Sequence, residues 1–429
     1  LKHFLGNVAA LADCAIVEAM HRFGRALHRS VPALIAANSW NSGKLSVGCE
    51  DSGGRRNFGT SQSSSAERSP HGGKPTLSRS NTPSGGLVEG GVSHGALRIF
   101  TGSAHPQLAE NIAKHMGATL GNAAVGRFKC GEVSVLINES VRDCDVFIIQ
   151  PTCNAGSGPQ EHLVELLIMI DAIKRGAANR VTAVMPLFGY SRQSAKERGR
   201  SPICAKLVTD LLQVAGADRV LTIELHSAQI QGFASYPIDN MYALPLLARE
   251  LAEIISARGI RAEDLVVVSP DVNGAKRASA LAAKLCGSLA IFSRQRKRPT
   301  EPAEIDLVGE VQGKLCIVVC DIADTGESLV QAADKLKAKG ASAVIGAVVH
   351  GVLSDPACEL INKSTVELVL VTDTIPLADK LDRCPKLRVV SVAPLLAHAI
   401  QNIHTSQSLS ALFEELPLRW PMEPTDRLE

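Results

Sequence analysis

The sequence predicts an α/β chain, with two tandem doubly wound parallel-sheet domains behind a disordered N-terminal extension. Three observations predict it. The composition is apolar but poor in aromatics, 45% against 3% over 429 residues, which suits alternating helices and parallel strands better than sandwiches. From Leu97 onward, short apolar runs alternate with helical periodicity. Before that point, residues 41 to 95 are dominated by Gly, Ser, Asn and Pro ("SGGRRNFGTSQSSSAERSPHGGKPTLSRSNTPSGG"). Such a stretch buries too little apolar surface to order itself.

The elements follow in order. "LRIFT" reads as a strand and Pro106 to Met116 as a helix, with Pro near its start and Gly117 after its end. "DVFIIQ" is a strand, Pro159 to Arg175 a helix, "RVTAVMP" a strand, Ala205 to Ala215 a helix and "RVLTIEL" a strand. A helix around Leu246 to Ala257 precedes "DLVVVSP", a strand, then a helix at Ala275 to Leu285 and the strand "SLAIFS". "KLCIVVC" leads into a helix at Ser328 to Ala338. "ASAVIGAVVHG" and "VELVLVTD" follow as strands, and "APLLAHAIQNIH" closes as a helix. The expected organisation is an extension over 1–95, an N-terminal domain over 96–242, a C-terminal domain over 243–415 and a tail over 416–429.

Net charge is +2, so no strong field points at nucleic acid or a membrane surface. No apolar run approaches the ~18 residues of a transmembrane helix. The 11 cysteines form no CxxC pair and no zinc spacing, which suits reduced thiols inside a cell, and a cytoplasmic location is expected. The first forty residues are Ala-rich and carry Arg22, Arg25, His28 and Arg29 with few acids. They read either as an organelle-targeting segment or as a leader without a function of its own.

In parallel sheets ligands bind beyond the carboxyl ends of the strands, and four loops there carry chemistry. "CDIADTGES" sets Asp321, Asp324, Thr325, Gly326 and Ser328 between a strand and a helix. Amides entering a helix favour phosphate, and carboxylates accept from sugar hydroxyls, so the loop suits a phosphorylated sugar. The same residues also suit a plain helix N-cap. "SPDVNGAKR" sets Asp271 before a basic helix start, for metal or sugar, or as a turn. In "IELHS", Glu224 and His226 alternate at a strand end and face one side, as a divalent-ion pair or as a His satisfied by backbone. "YSRQSAKERGR" and "SRQRKRP" are basic runs after strands. Guanidinium groups there suit a polyphosphate.

Together these loops resemble the ribose-phosphate diphosphokinase (PRPP synthetase) family, its PRPP synthetase-associated proteins included. The likeness spans Leu97 to Phe413 and rests on long matches in order, among them "GEVSVLINESVRDCDVFIIQ", "YSRQ", "SPICAKLV", "VVVSPDVNGAKR", "DIADTGES" and "VTDTIP". The resemblance implies two phosphoribosyltransferase-like domains in a homo- or hetero-oligomer. It implies transfer of diphosphate from Mg-ATP to ribose 5-phosphate, giving 5-phosphoribosyl 1-diphosphate and AMP. Phe128, Glu132, Arg192, Gln193 and His226 would then bind ATP, and Arg294 and Arg296 would be catalytic. Asp271, Asp321, Asp324, Thr325, Gly326 and Ser328 would bind ribose 5-phosphate. Glu224, His226, Asp239 and Asp271 would hold Mg2+.

The chain departs from the family pattern inside this site. Cys320 stands where the first of two acids is usual, Glu327 at a glycine position and Arg294 at the flexible-loop lysine. Cys130 replaces an Asn, Glu224 an Asp and Ser235 another acid. Two readings follow: an active synthetase, or a non-catalytic or weakly active subunit that assembles with active ones and tunes them.

Overall fold

The structure is a computed structural model that describes residues 94–196, 198–295 and 304–413. The leader, the low-complexity stretch, the tail and Arg296 lie outside these residues. Two parallel sheets organise the rest. The first has five strands, β1 (Leu97–Thr101), β4 (Asp145–Ile149), β5 (Arg180–Met185), β6 (Arg219–Ile223) and β7 (Ile238–Met241), in that spatial order and all parallel. Between β1 and β4 an antiparallel hairpin, β2 (Ala123–Arg127) with β3 (Val133–Ile137), forms its own two-stranded sheet.

The second sheet has seven strands in the order β10-β9-β8-β11-β12-β13-β14. These are β8 (Leu265–Ser269), β9 (Ser288–Gln295), β10 (Glu304–Val308), β11 (Leu315–Ala323), β12 (Ala343–Gly351), β13 (Leu368–Thr372) and β14 (Leu387–Val390). Only β10 is antiparallel, paired to β9 at the edge. The chain leaves β8 in one direction and returns as β11 on its other side, so the strand order reverses between β8 and β11. Such a switch point opens a crevice at the strands' carboxyl ends. There Ser269 leads to Asp271, and Asp321 leads to Asp324.

The helices are α1 (Pro106–His115), α2 (Pro159–Arg175), α3 (Cys204–Ala215), α4 (Leu244–Ala257), α5 (Ala275–Lys284), α6 (Glu327–Ala338), α7 (Ala357–Lys363), α8 (Ala378–Leu381) and α9 (Ala393–His404). Their starts follow local rules. Pro106, Pro159 and Pro394 occupy first-turn positions, where a missing N–H costs nothing. Gly216 ends α3 at φ +107°, the left-handed conformation that glycine adopts without strain. One face of the first sheet buries Leu163, Leu166, Ile170 and Ile173 of α2 with Val208 and Leu212 of α3. The opposite face joins α1, α4, α5 and α9 in one apolar cluster with β8, β11 and β12. Both sheets therefore share a core, and their carboxyl-end loops meet.

Several features differ from the sequence expectation. "CIVVC" does not end before the acids: β11 pairs with β12 as far as Ala323 with Gly351. Cys320 and Asp321 are thus strand residues, and the loop proper is only Asp324 to Gly326. "SLAIFS" likewise continues to Gln295, because β10 pairs along it and places Arg294 opposite Ile305. The hairpin, β7, β10, α7 and β14 were not legible as elements. They are short or exposed, and their apolar patterns are weak. No helix among the described residues is long and apolar enough to cross a membrane.

Candidate active site

The switch-point strands and the loop after β6 build one cluster. Asp321 Oδ2 lies 2.6 Å from Nδ1 of His226, which comes from the first sheet. Asp321 Oδ1 accepts from the Ile322 amide at 2.8 Å. Arg277 of α5 stands between two carboxylates, with Nη2 3.5 Å from Asp321 and Nε 3.6 Å from Glu224. Burial alone would raise the Asp321 carboxyl. The His226 hydrogen bond and the Arg277 charge outweigh it and hold Asp321 down to about 2. Asp321 is therefore an ionised acceptor at neutral pH.

Glu224 has the opposite balance. It is 5% exposed, and burial pushes its carboxyl up to about 7, with Arg277 opposing and Asp321 adding to the rise. Its Oε1 is buried and has no hydrogen-bond partner, a costly state for a carboxylate. His226 donates Nδ1–H to Asp321, which leaves Nε2 free as an acceptor among the described residues. A histidine whose other nitrogen is oriented by a carboxylate is the arrangement that metal-binding imidazoles use. These oxygen and nitrogen donors fit a divalent cation in type. No three Asp, Glu, His or Cys side chains among the described residues converge on one ion position.

Beside this cluster, Arg192 reaches from the loop after β5 to Asp324, with Nη2 to Oδ2 at 2.8 Å. Burial raises Asp324, and Ser354 and Arg192 together lower it below the usual carboxylate range. Gln193 lies beside Arg192 in the same turn, its amide bonded to the Tyr190 carbonyl at 3.0 Å. Thr325 and Ser328 are exposed, so their hydroxyls are open to a ligand. Gly326, at φ +75°, turns the chain into α6, a conformation costly for any residue with a Cβ. Asp271 is exposed and caps the turn into α5, where its Oδ1 accepts from the Gly274 amide at 2.9 Å.

Cys320 lies in an apolar cluster at 7% exposure. Burial first, then the charge of Asp321, pushes its thiol up to about 12, so it is neutral at pH 7. Glu327 occupies the first turn of α6. There it favours the helix dipole and opposes a bound anion.

Not every expected residue joins the cluster. Asp239 sits at the amino end of β7, beside Leu221, and pairs with Arg219. It stands three strand positions before the Glu224 end. Phe128 and Glu132 close the β2–β3 hairpin through an amide–carbonyl bond of 2.8 Å, and both are exposed. Arg294 is placed by its backbone on β9. The structure adds two residues that sequence reasoning did not assign, Arg277 and His350. Arg277 sits in the quoted "NGAKR", where the signal was its place one helical position after Lys276. His350 is fully buried in β12 with its Nε2 3.0 Å from the carbonyl of Ile223. Nothing in "VVHG" announces that contact.

Comparisons with known proteins agree with this architecture. A family model described as the N-terminal domain of ribose phosphate pyrophosphokinase matches residues 97–216. Another, described as a phosphoribosyl synthetase-associated domain, matches residues 292–414. Ribose-phosphate pyrophosphokinase A of Dictyostelium discoideum is 45% identical over 319 residues, which is 74% of this chain and 98% of that protein. The ribose-phosphate pyrophosphokinase of Thermosipho africanus is 46% identical over 324 residues, 76% of this chain and 99% of that protein. The crystal structure of phosphoribosylpyrophosphate synthetase from Mycobacterium smegmatis superposes with a TM-score of 0.66 at 42% identity, over 72% of this chain and 98% of that one. Identity at this level, carried across nearly the whole length of each relative, establishes that the chain belongs to the ribose-phosphate pyrophosphokinase family.

Proposed function

We propose that the chain is an active ribose-phosphate diphosphokinase, transferring diphosphate from Mg-ATP to the 1-hydroxyl of ribose 5-phosphate and releasing AMP. The product would feed nucleotide biosynthesis. The carrying observation is the meeting of His226 and Arg192 from one sheet with Asp321 and Asp324 from the other. A nucleotide held by the first sheet would then face a sugar phosphate held by the second. Transfer of this kind needs positioning and positive charge more than covalent chemistry.

Ionised Asp321 would accept hydroxyl hydrogens of the ribose. The amides and hydroxyls from Thr325 to Ser328 would take the 5-phosphate at the start of α6. Arg192, with Gln193 beside it, would exchange Asp324 for phosphate oxygens of ATP. Arg294 and Arg296 would supply cations for the transferring group. His226 and Glu224, with Asp271 at the neighbouring strand end, would hold Mg2+. That ion supplies charge neutralisation on the phosphate oxygens.

The reading extends to assembly. α3 exposes Leu207, Leu211 and Val214 at helical spacing, and α2 exposes Val164 and Ile168. This apolar face fits contact with another copy or a related subunit. A second copy would also bring Phe128 and Glu132 from its hairpin to an ATP site. The domains would divide at 242 and 243, and the location would be cytoplasmic.

The alternative, a subunit that tunes active partners, is favoured by one observation: the neutral, buried thiol of Cys320 where the family usually has an acid. One assay decides. Purified protein receives Mg-ATP, ribose 5-phosphate and inorganic phosphate, and AMP release is followed. Turnover is expected. No turnover alone, with altered turnover of an added active synthetase, would replace the enzyme reading by the subunit reading.

A further inference from the structure

His350 is the penultimate residue of β12 and is 1% exposed. A one-residue register shift against β13 falls between Val348 and His350, and such a bulge re-aims the side chain beside it. Nδ1 lies 2.9 Å from Thr374 Oγ1, and Nε2 lies 3.0 Å from the Ile223 carbonyl and 3.3 Å from the Glu224 carbonyl. Carbonyls only accept, so Nε2 carries the proton and Nδ1 accepts from the Thr374 hydroxyl. The histidine donor is thus aimed by a residue of the turn that follows β13.

Its target is a strained corner. Glu224 has φ +44°, a left-handed conformation that long side chains seldom adopt and that persists only where neighbours impose it. The Glu224 amide donates to the Met241 carbonyl, and the Leu225 amide to Asn240 Oδ1, both at 2.9 Å from the first sheet. His350 supplies the tie from the second sheet. Two residues beyond the corner, His226 meets Asp321.

We infer that His350 is a positioning residue, whose Nε2–H sets the Glu224 corner and so presents the Glu224 carboxylate and the His226 imidazole to a divalent cation. This rests on the reading above that Glu224 and His226 bind the metal. Residues that orient metal ligands in this way commonly change affinity by about 10- to 100-fold when removed.

The test uses the full chain, with Mn2+ alone as the probe and free Mn2+ read by electron paramagnetic resonance. Wild type is compared with His350→Gln, His350→Leu and Thr374→Val, each also followed by thermal melting and amide exchange over residues 224–227. The glutamine keeps an N–H near the Nε2 position, so its Mn2+ affinity should stay within about threefold. The leucine should bind about tenfold more weakly and exchange faster at the corner. Thr374→Val should fall between them. A purely structural role would lower the melting temperature of both His350 variants and leave the Mn2+ affinity of folded protein unchanged, which overturns the inference. If the leucine variant does not fold, wild-type affinity in Thr374→Val overturns it instead. A wild type that binds no Mn2+ overturns the metal reading and this inference together. Normal wild-type binding that is unchanged in His350→Leu overturns the inference alone.

Discussion

His226 Nδ1 and Asp321 Oδ2 stand 2.6 Å apart, and the bond joins the end of β6 in one sheet to the switch-point strand of the other. It orients the imidazole, keeps the carboxylate ionised and joins two residues 95 positions apart in the chain.

Asp321 should make stability fall in acid. Its folded value, about 2, lies below its ordinary 3.8. The contribution is therefore present above the unfolded value and lost as pH falls through the folded one. Urea unfolding of wild type and Asp321→Asn should differ by on the order of 2 kcal/mol near neutral pH. The difference should vanish between about pH 4 and pH 2. A gap independent of pH would show that the ion pair contributes nothing specific.

Glu224 should act in the opposite direction. Its folded value, about 7, lies above its ordinary 4.5, so its contribution is complete below the unfolded value and lost as pH rises through the folded one. In metal-free buffer Glu224→Gln should melt no higher than wild type at pH 4 and higher than wild type at pH 8. Added Mg2+ should stabilise wild type more than the variant. Parallel melting curves across that range would contradict a carboxyl whose burial outweighs its Arg277 partner.

Cys320→Asp should cost stability and improve sugar binding. It places a second carboxylate beside Asp321 in an apolar cluster, at about 1–3 kcal/mol without metal. Combined with Glu327→Gly, it should lower KM for ribose 5-phosphate. An unchanged KM in a folded double variant would clear the thiol and the glutamate of limiting the site.

Arg192→Ala should separate stability from ligand binding. Arg192 is half exposed, and surface ion pairs contribute about 0–1 kcal/mol, so the melting temperature should barely move. KM for ATP should rise about tenfold, the loss of one charge-assisted contact. Arg192→Lys should recover only part of it, because an ammonium lacks the planar fork. An unaltered KM in Arg192→Ala would remove Arg192 from the ATP site.

Much of this protein was legible in one dimension. The apolar runs "DVFII", "RVTAVM" and "LVVVS" are buried strands because parallel sheets cover both faces, which leaves no alternation to read. Gly326 and the acids around it marked a helix entry, since turn chemistry is local. The β2–β3 hairpin escaped because half its side chains are exposed, and the end of β11 escaped because pairing with β12 carries it past Asp321 to Ala323.

The sequence by itself determined the alternation of strand and helix, the loops that bear charge, and the family to which those loops point. Only the tertiary structure decided which of the charged groups act together. It set Asp239 against Arg219, away from Glu224, and placed Arg277 between Glu224 and Asp321. It also aimed His350 at a backbone corner more than a hundred residues away. The reason is physical: helix and strand periodicity are written in neighbouring residues, whereas the pairing of buried charges depends on how two sheets meet.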